Sequence, residues 1–254
     1  MKLSVIILTK NEEKNIRRCL DSLPKEIELI IVDSGSQDKT LEIVKNYNAK
    51  IFSNKMDDLN FATQRNFIAD KASNEWVLFL DADEELSPEL KHNLEYLIDN
   101  NEGIIGYDIR RWNYVLGKRM MHCWSPDYVL RLFNKRFARY EGHIHAYAVP
   151  KGKVMRIEEP ILHYTFQSVE GYFERINKYS TIEAQRLFAQ RAEFRWGILI
   201  SRSWAMFTHV LTGKKGFLDG TRGLILAFME GIQSFLTYAK LFELYEKEKQ
   251  GQQM

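Results

Sequence analysis

The chain has 254 residues, 45% of them hydrophobic and 28% charged. This excludes an intrinsically disordered protein and suits one large domain, or one domain with a helical annex. The formal net charge of +2 is too small for nucleic acid as a bulk partner. The two cysteines, Cys19 and Cys123, give neither a disulfide framework nor a zinc spacing.

Residues 3–8 read as a strand. The run is too short for a secretory leader and lacks a cleavage region, so a cytoplasmic protein is expected. Residues 15–23 read as a short helix, 29–32 as a strand, 39–46 as a helix and 49–52 as a third strand. Residues 60–71 are helical, and 76–80 form a fourth strand. Ser87-Pro88 opens the next helix, with serine as cap and proline in the first turn. The strongest strands are short, nearly all apolar and β-branched, as parallel strands covered on both faces are. The order predicts an α/β fold with a doubly wound, mostly parallel sheet and a ligand site at the carboxyl ends of its strands.

From 103 to 163 the pattern changes to short strands, at 107–111, 128–133 and 160–164, separated by loops rich in Trp, Arg and His. From about 169 the chain reads helical, which divides it into 1–168 and a C-terminal helical region, 169–254. Two apolar stretches there are interrupted, 196–211 by Arg202 and His209 and 224–239 by Glu230. A span needs about 20 largely apolar residues, and a central arginine costs roughly 2.5–3.5 kcal/mol. Spanning helices are therefore rejected, while attachment to a membrane surface stays open. Lys214 and Lys215 could meet anionic lipid, but two lysines fall short of a basic cluster. Ile225, Phe228, Ile232, Phe235, Ala239 and Phe242 form an apolar helix stripe. It packs on its own domain, or it carries a homodimer or membrane contact.

Four features fall at the expected ligand edge. Thr9-Lys10-Asn11-Glu12 follows the first strand and precedes a helix, a natural place for a nucleotide or simply a helix cap. Asp33 ends the second strand and can accept hydrogen bonds from a base or ribose; a turn with its cap explains Asp38 but not Asp33. Asp81-Ala82-Asp83 ends an apolar strand, where two carboxylates can share one hard divalent ion, Mg²⁺ or Mn²⁺, beside a diphosphate. Gln64-Arg65-Asn66 lies on a helix; Arg65 reaches a phosphate or the acidic loop, or makes a surface salt bridge.

Taken in order, these motifs resemble those of family 2 glycosyltransferases with the GT-A fold, over roughly the first hundred residues. The later Tyr128–Phe133 segment, His145, His163-Tyr164 and the helical tail resemble the branch that contains lipopolysaccharide-core glucosyltransferases of the WaaE type. The resemblance implies a sugar transferred with inversion from a nucleotide-sugar, usually a UDP-sugar, to a glycan or glycolipid acceptor of the cell envelope. It implies that Thr9, Asn11 and Glu12 with Asp33 hold the nucleoside, and that Arg65 and Asp81 position the donor. Asp83 is then the principal metal ligand, with His163 a further candidate beside Asp81. Arg131 binds the diphosphate or an acidic acceptor, or is a buried structural pair.

Such relatives usually read His-Glu where this chain has His145-Ala146. The general base is therefore sought at Asp127, then Glu141 and His143, then His145. Trp112, Tyr114 and Trp124 are candidates for an acceptor floor, or for core packing. A nucleotidyltransferase would open with a glycine-rich loop after the first strand, which is missing here. Ala146 favours a catalytically silent binding or scaffold protein on the same fold; Asp33, Asp81 and Asp83 argue against it.

Overall fold

The computed structural model describes residues 1–53, 61–142 and 146–251. The chain forms two compact units, Met1–Trp112 with Pro126–Tyr164, and Asn113–Ser125 with Thr165–Met254. The second unit thus takes a loop segment that the sequence reading leaves with the sheet.

The sheet is built from β1 (Leu3–Thr9), β2 (Glu28–Asp33), β3 (Ala49–Ser53), β4 (Trp76–Asp81), β5 (Glu84–Leu86), β6 (Ile104–Val115), β7 (Lys118–Arg119), β8 (Asp127–Asn134) and β11 (Lys153–Phe166). Among the described residues the order is β3-β2-β1-β4-β8-β6-β11-β5, with β7 on β6. A hairpin of β9 (Ala138–Glu141) and β10 (Tyr147–Pro150) stands apart. The first four strands are parallel, as expected. Beyond β4 the pairing turns antiparallel, at β4–β8, β8–β6 and β11–β5, so the sheet is mixed.

Successive side chains of a strand point to opposite faces, so an unbroken apolar strand feeds two cores. Val5, Ile7, Ile31, Leu78 and Leu80 pack with Ile16, Cys19 and Leu20 of α1 (Ile16–Asp21) and with Leu90, Leu94 and Leu97 of α4 (Pro88–Asp99). Ile6, Ile30, Val77 and Phe79 pack on the other face with Ile68 and Ala69 of α3 (Phe61–Lys71). Phe79 meets Phe133 at 5.8 Å and the edge of Tyr140 at 4.9 Å. Ser87 caps α4 as predicted, its Oγ accepting from the Leu90 N–H at 3.1 Å. α1 and α2 (Thr40–Val44) are shorter than the sequence suggests.

The second unit holds α5 (Val169–Ala189), α6 (Trp196–Thr208), a π turn (His209–Gly213), a 3-10 turn (Gly216–Asp219) and α7 (Thr221–Gly251). Its core gathers Val115, Met120, Cys123, Phe166, Tyr172, Ile176, Leu226 and Ala227. Trp124 packs against it. Asp219 ties down a loop by accepting the N–H groups of Met121, His122 and Cys123 at 2.8, 3.2 and 2.7 Å. The residues α7 buries are Gly223, Leu226, Ala227, Met229, Gly231, Thr237 and Leu241. The stripe of Ile225, Phe228, Ile232, Phe235, Ala239 and Phe242 is split: Ile225 and Ile232 are partly buried and pack against this core, while Phe228, Phe235 and Phe242 stay exposed. No described helix is long and apolar enough to cross a membrane.

Candidate active site

The parallel register brings the motifs to one edge. Thr9 pairs with Asp33, and Leu8 with Asp81. The loop after β1 is then fastened to the loop after β2. The N–H groups of Asn11, Glu12 and Glu13 donate to Ser36 Oγ, Thr40 Oγ1 and Asp38 Oδ2 at 2.9, 2.7 and 3.0 Å. In return, Asn11 Oδ1 accepts from the Gln37 N–H and Glu13 Oε2 from the Lys39 N–H. The amides that the sequence reading offers to a nucleotide are therefore spent on the neighbouring loop. Asn11 adopts a left-handed backbone, φ 56°, which asparagine tolerates better than most residues.

Asp33 is buried and closes its own turn, accepting from Gly35 N, Ser36 N and Ser36 Oγ at 3.0, 3.0 and 2.5 Å. Turn chemistry thus accounts for Asp33 as well as Asp38, contrary to the sequence argument. A carboxylate offers about four lone-pair sites, so the turn leaves it capacity to accept from a ligand.

Around the end of β4 lies a charged cluster. Asp81 accepts from Arg65 Nη2 through Oδ1 at 2.9 Å and from Arg131 Nη2 through Oδ2 at 2.5 Å. Arg65 is nearly buried and also reaches Tyr140 Oη at 3.3 Å, so it is no surface ion pair. Asn66, beside it, exchanges two hydrogen bonds of 2.8 Å with the backbone of Tyr140, which fixes α3 against the β9 strand. Burial opposes the charge on Asp81, but Arg131 and Arg65 outweigh it and hold the carboxyl far below the ordinary range. Burial likewise opposes the charge on Arg131, and Asp81 and Glu84 hold its pKa well above normal.

Arg131 owes its aim to a β-bulge. Tyr107 pairs with Leu132 and Asp108 with Leu130, which leaves Arg131 as the extra residue of β8. Glu84 was not foreseen. Its side chain is wholly buried, takes Arg131 at 2.9 Å and Arg111 at 3.2 Å, and accepts the Asp81 N–H at 2.9 Å. The run Asp81-Ala82-Asp83-Glu84 was its only signal. Arg111 also grips Asp127 Oδ2 at 2.8 Å.

A cleft of about 500 Å³ opens here, lined by Arg65, Asp81, Asp108, Arg111, Tyr128, Arg131, Tyr140, Ala146 and Tyr147 among others. Asp108 was also missed; its carboxylate lies 4.0 Å from Arg156. Glu141 is exposed at the end of β9. His143 and His145 lie outside the described residues.

Pairing of β5 with β11 sets His163 level with Glu84, and the Tyr164 N–H bonds to the Asp83 carbonyl at 3.0 Å. His163 Nε2 thereby comes within 3.4 Å of Asp83 Oδ2. Two donors in adjacent positions on one ion at 2.0–2.1 Å stand roughly 3 Å apart, so this pair fits a shared divalent cation. Asp81 has both oxygens on guanidinium groups, and no cluster of three ligands occurs among the described residues. The remaining positions of such an ion would fall to substrate oxygens and water, as is usual for Mg²⁺. Thr9 Oγ1, Arg65 Nε and Arg131 Nε are buried without a hydrogen-bond partner among the described residues. Such atoms are rare in folded proteins.

The sequence model of glycosyl transferase family 2 matches residues 4–159. An uncharacterized glycosyltransferase of Rickettsia typhi is 30% identical, over 98% of this chain and 89% of that one. The lipopolysaccharide core biosynthesis glycosyltransferase LpsC of Rhizobium meliloti is 29% identical, over 96% and 93%. Two solved structures share the fold. Staphylococcus aureus TarS 1–349 in complex with UDP has a TM-score of 0.51 at 17% identity, covering 98% of this chain and 92% of that one. The mannosyltransferase PcManGT of Pyrobaculum calidifontis, in complex with GDP-Man and Mn²⁺, has a TM-score of 0.52 at 13% identity, covering 95% and 87%. The strand-end acidic motif, the mixed sheet and the family match together identify the chain as a GT-A-fold glycosyltransferase that belongs to glycosyl transferase family 2.

Proposed function

We propose that the cleft takes a UDP-sugar and transfers its sugar, with inversion, to a lipopolysaccharide-core or other cell-envelope glycan on the cytoplasmic side. The observation that carries this reading is the pairing of Asp83 with His163 beside the Arg65–Asp81–Arg131 cluster. The acceptor class is supported by the likeness to LpsC along most of both chains. The donor class is supported by TarS, which shares the fold and was solved with UDP.

In this reading Asp33 and Thr9 hold the nucleoside at the β1–β2 edge. The guanidinium groups of Arg65 and Arg131 are charged at any working pH, and Asp81 fixes both while Glu84 also fixes Arg131, so they are positioned cations for the diphosphate. Asp83 and His163 would hold Mg²⁺ or Mn²⁺, which as a Lewis acid neutralises the departing diphosphate. In-line attack needs a base for the acceptor hydroxyl. Asp108 lines the cleft and meets Arg156 only at 4.0 Å, whereas Asp127 lies outside that lining and has one oxygen on Arg111 at 2.8 Å, so in this reading Asp108 takes that proton. A positioned base of this kind contributes about 10²–10⁴-fold.

The test is calorimetry of a panel of nucleotide-sugars with and without Mn²⁺, together with assay of nucleotide release. Metal-dependent binding of one UDP-sugar, with slow UDP release to water, is expected. A folded protein that binds no nucleotide-sugar under either condition would overturn the reading.

A further inference from the structure

Helix α6 buries none of its 13 residues. Trp196, Ile200 and Trp204 recur at a spacing of four, which sets them on one stripe. They are between 64% and 78% exposed. Ring contacts extend this stripe onto α7: Trp204 stacks on Phe207 at 5.3 Å, and Phe207 meets Phe228 at 4.7 Å. At the other end Trp196 meets Phe242 at 6.2 Å. The helices lie close because Gly231 leaves room for Ser203 O and Phe207; a Cβ there would stand 3.2 and 3.4 Å from them. Phe228, Phe235 and Phe242 of α7 remain exposed, as do Phe217 and Leu218 in the turn between the helices. These side chains touch one another yet stay exposed, which makes a larger apolar face than scattered surface residues would give.

Its charge selects the partner. Residues 195–218 contain Arg195, Arg202, Lys214 and Lys215 and no Asp or Glu. Arg195 is paired with Glu193, whereas Arg202, Lys214 and Lys215 are exposed, without an ion pair among the described residues. The nearby acids are spent elsewhere. Asp219 holds three backbone amides, and Glu230 accepts from Tyr172 Oη at 2.6 Å. Along α7, Glu243, Glu246 and Glu248 are paired with Lys247, Lys249 and Arg191.

We propose that this α6–α7 face docks on an anionic phospholipid bilayer. Tryptophan and phenylalanine beside unpaired lysine and arginine are the combination that holds a helix in a bilayer's interfacial plane. No described helix can span, so the contact lies on the surface. A second copy of the chain would bring the same cations against themselves, whereas anionic lipid complements them. The inference rests on the helical unit alone and needs no donor or acceptor, so it stands or falls apart from the sugar-transfer reading.

The test is flotation of the full chain with phosphatidylcholine vesicles containing or lacking half phosphatidylglycerol, at low and high salt, with tryptophan emission recorded. Wild type is expected to float with the anionic vesicles only, with blue-shifted emission, and to be released by salt. Trp196→Ser/Ile200→Ser/Trp204→Ser and Lys214→Glu/Lys215→Glu are each expected to lower partitioning by about tenfold or more. All five positions are exposed, so unchanged melting and circular dichroism will show that the variants fold. Wild type that stays unbound with anionic vesicles overturns the proposal. So does equal binding by wild type and both folded variants. A dimer in light scattering that the tryptophan variant abolishes, with no vesicle binding, assigns the face to self-association instead.

Discussion

Arg131 Nη2 donates to Asp81 Oδ2 at 2.5 Å from the bulge of β8. The same nitrogen reaches Glu84 at 2.9 Å, and the Glu84 side chain is wholly buried. Arg131→Met keeps most of the volume but removes one of two cations facing that carboxylate. Breaking a buried pair from one side costs about 3–5 kcal/mol. Urea denaturation of Arg131→Met is expected to show a loss of that order. Arg131→Met/Glu84→Gln should recover part of it, because no uncompensated charge is left; a double variant no more stable than the single one would contradict this.

Asp83 and His163 are held at 3.4 Å by the β5–β11 pairing, and the donor reading makes them cation ligands. Asp83→Ala is expected to abolish the metal dependence of UDP binding. His163→Ala should lower Mn²⁺ affinity by at least about tenfold, the loss already typical of outer-shell partners. Titration of Mn²⁺ in the presence of UDP reads both. UDP affinity and Mn²⁺ dependence unchanged in Asp83→Ala would remove the metal from this position.

Asp108 and Asp127 separate the two proposals for the base. Asp108→Asn is expected to lower kcat by about 10²–10⁴-fold while donor binding stays within twofold. Asp127→Asn loses an ion pair with Arg111 and should act mainly on stability. The reverse pattern in steady-state kinetics would return the base to Asp127.

Glu28 gives a clean pH signature remote from the cleft. Its side chain is 10% exposed and bonds to Lys50, Ser4 and Ser73. Burial alone would raise its pKa, but these bonds bring it down from 4.5 to about 2. A lowered folded value stabilises the fold above the unfolded value and is lost as the pH falls through the folded one. Wild type should therefore exceed Glu28→Gln in stability at pH 7, and the gap should close between pH 4.5 and about 2. A gap that stays constant in urea midpoints through that window contradicts the assignment.

What could be read from the sequence was whatever depends on local pattern. The apolar runs of β1, β2 and β4 set the parallel half of the sheet, and Asp33 and Asp81 at their ends follow from it. The antiparallel half depends on register between distant segments. A single extra residue in β8 decides that Arg131 faces Asp81, and pairing of β5 with β11 decides that His163 meets Asp83. Neither register leaves a periodic trace, and Glu84 and Asp108 look like ordinary surface acids until those strands are placed. The bonds of the Asn11 and Glu12 amides were hidden for a related reason: their acceptors, Ser36 and Thr40, come from the next loop.

Gly223 sets the closest approach in the helical unit. A Cβ built there would lie 1.8 Å from Gly216 O and 2.6 Å from Gly216 C, both backbone atoms that no rotamer change can move aside. Gly223→Ala must therefore push the 3-10 turn away from the start of α7, across a position that the core has already closed. Overpacking of this kind costs about 3 kcal/mol, the upper end of the usual range, or a fall in Tm of roughly 6–12 °C for a chain of this size. Gly197 supplies the contrast. It lies in α6, and nothing stands within 4 Å of its Cβ position. There Gly→Ala restricts the unfolded chain without a clash and should stabilise by about 0.5 kcal/mol. Scanning calorimetry of the two variants reads opposite signs from one chemical change; a Gly223→Ala protein that melts with wild type would mean that the turn at Gly216 is free to shift.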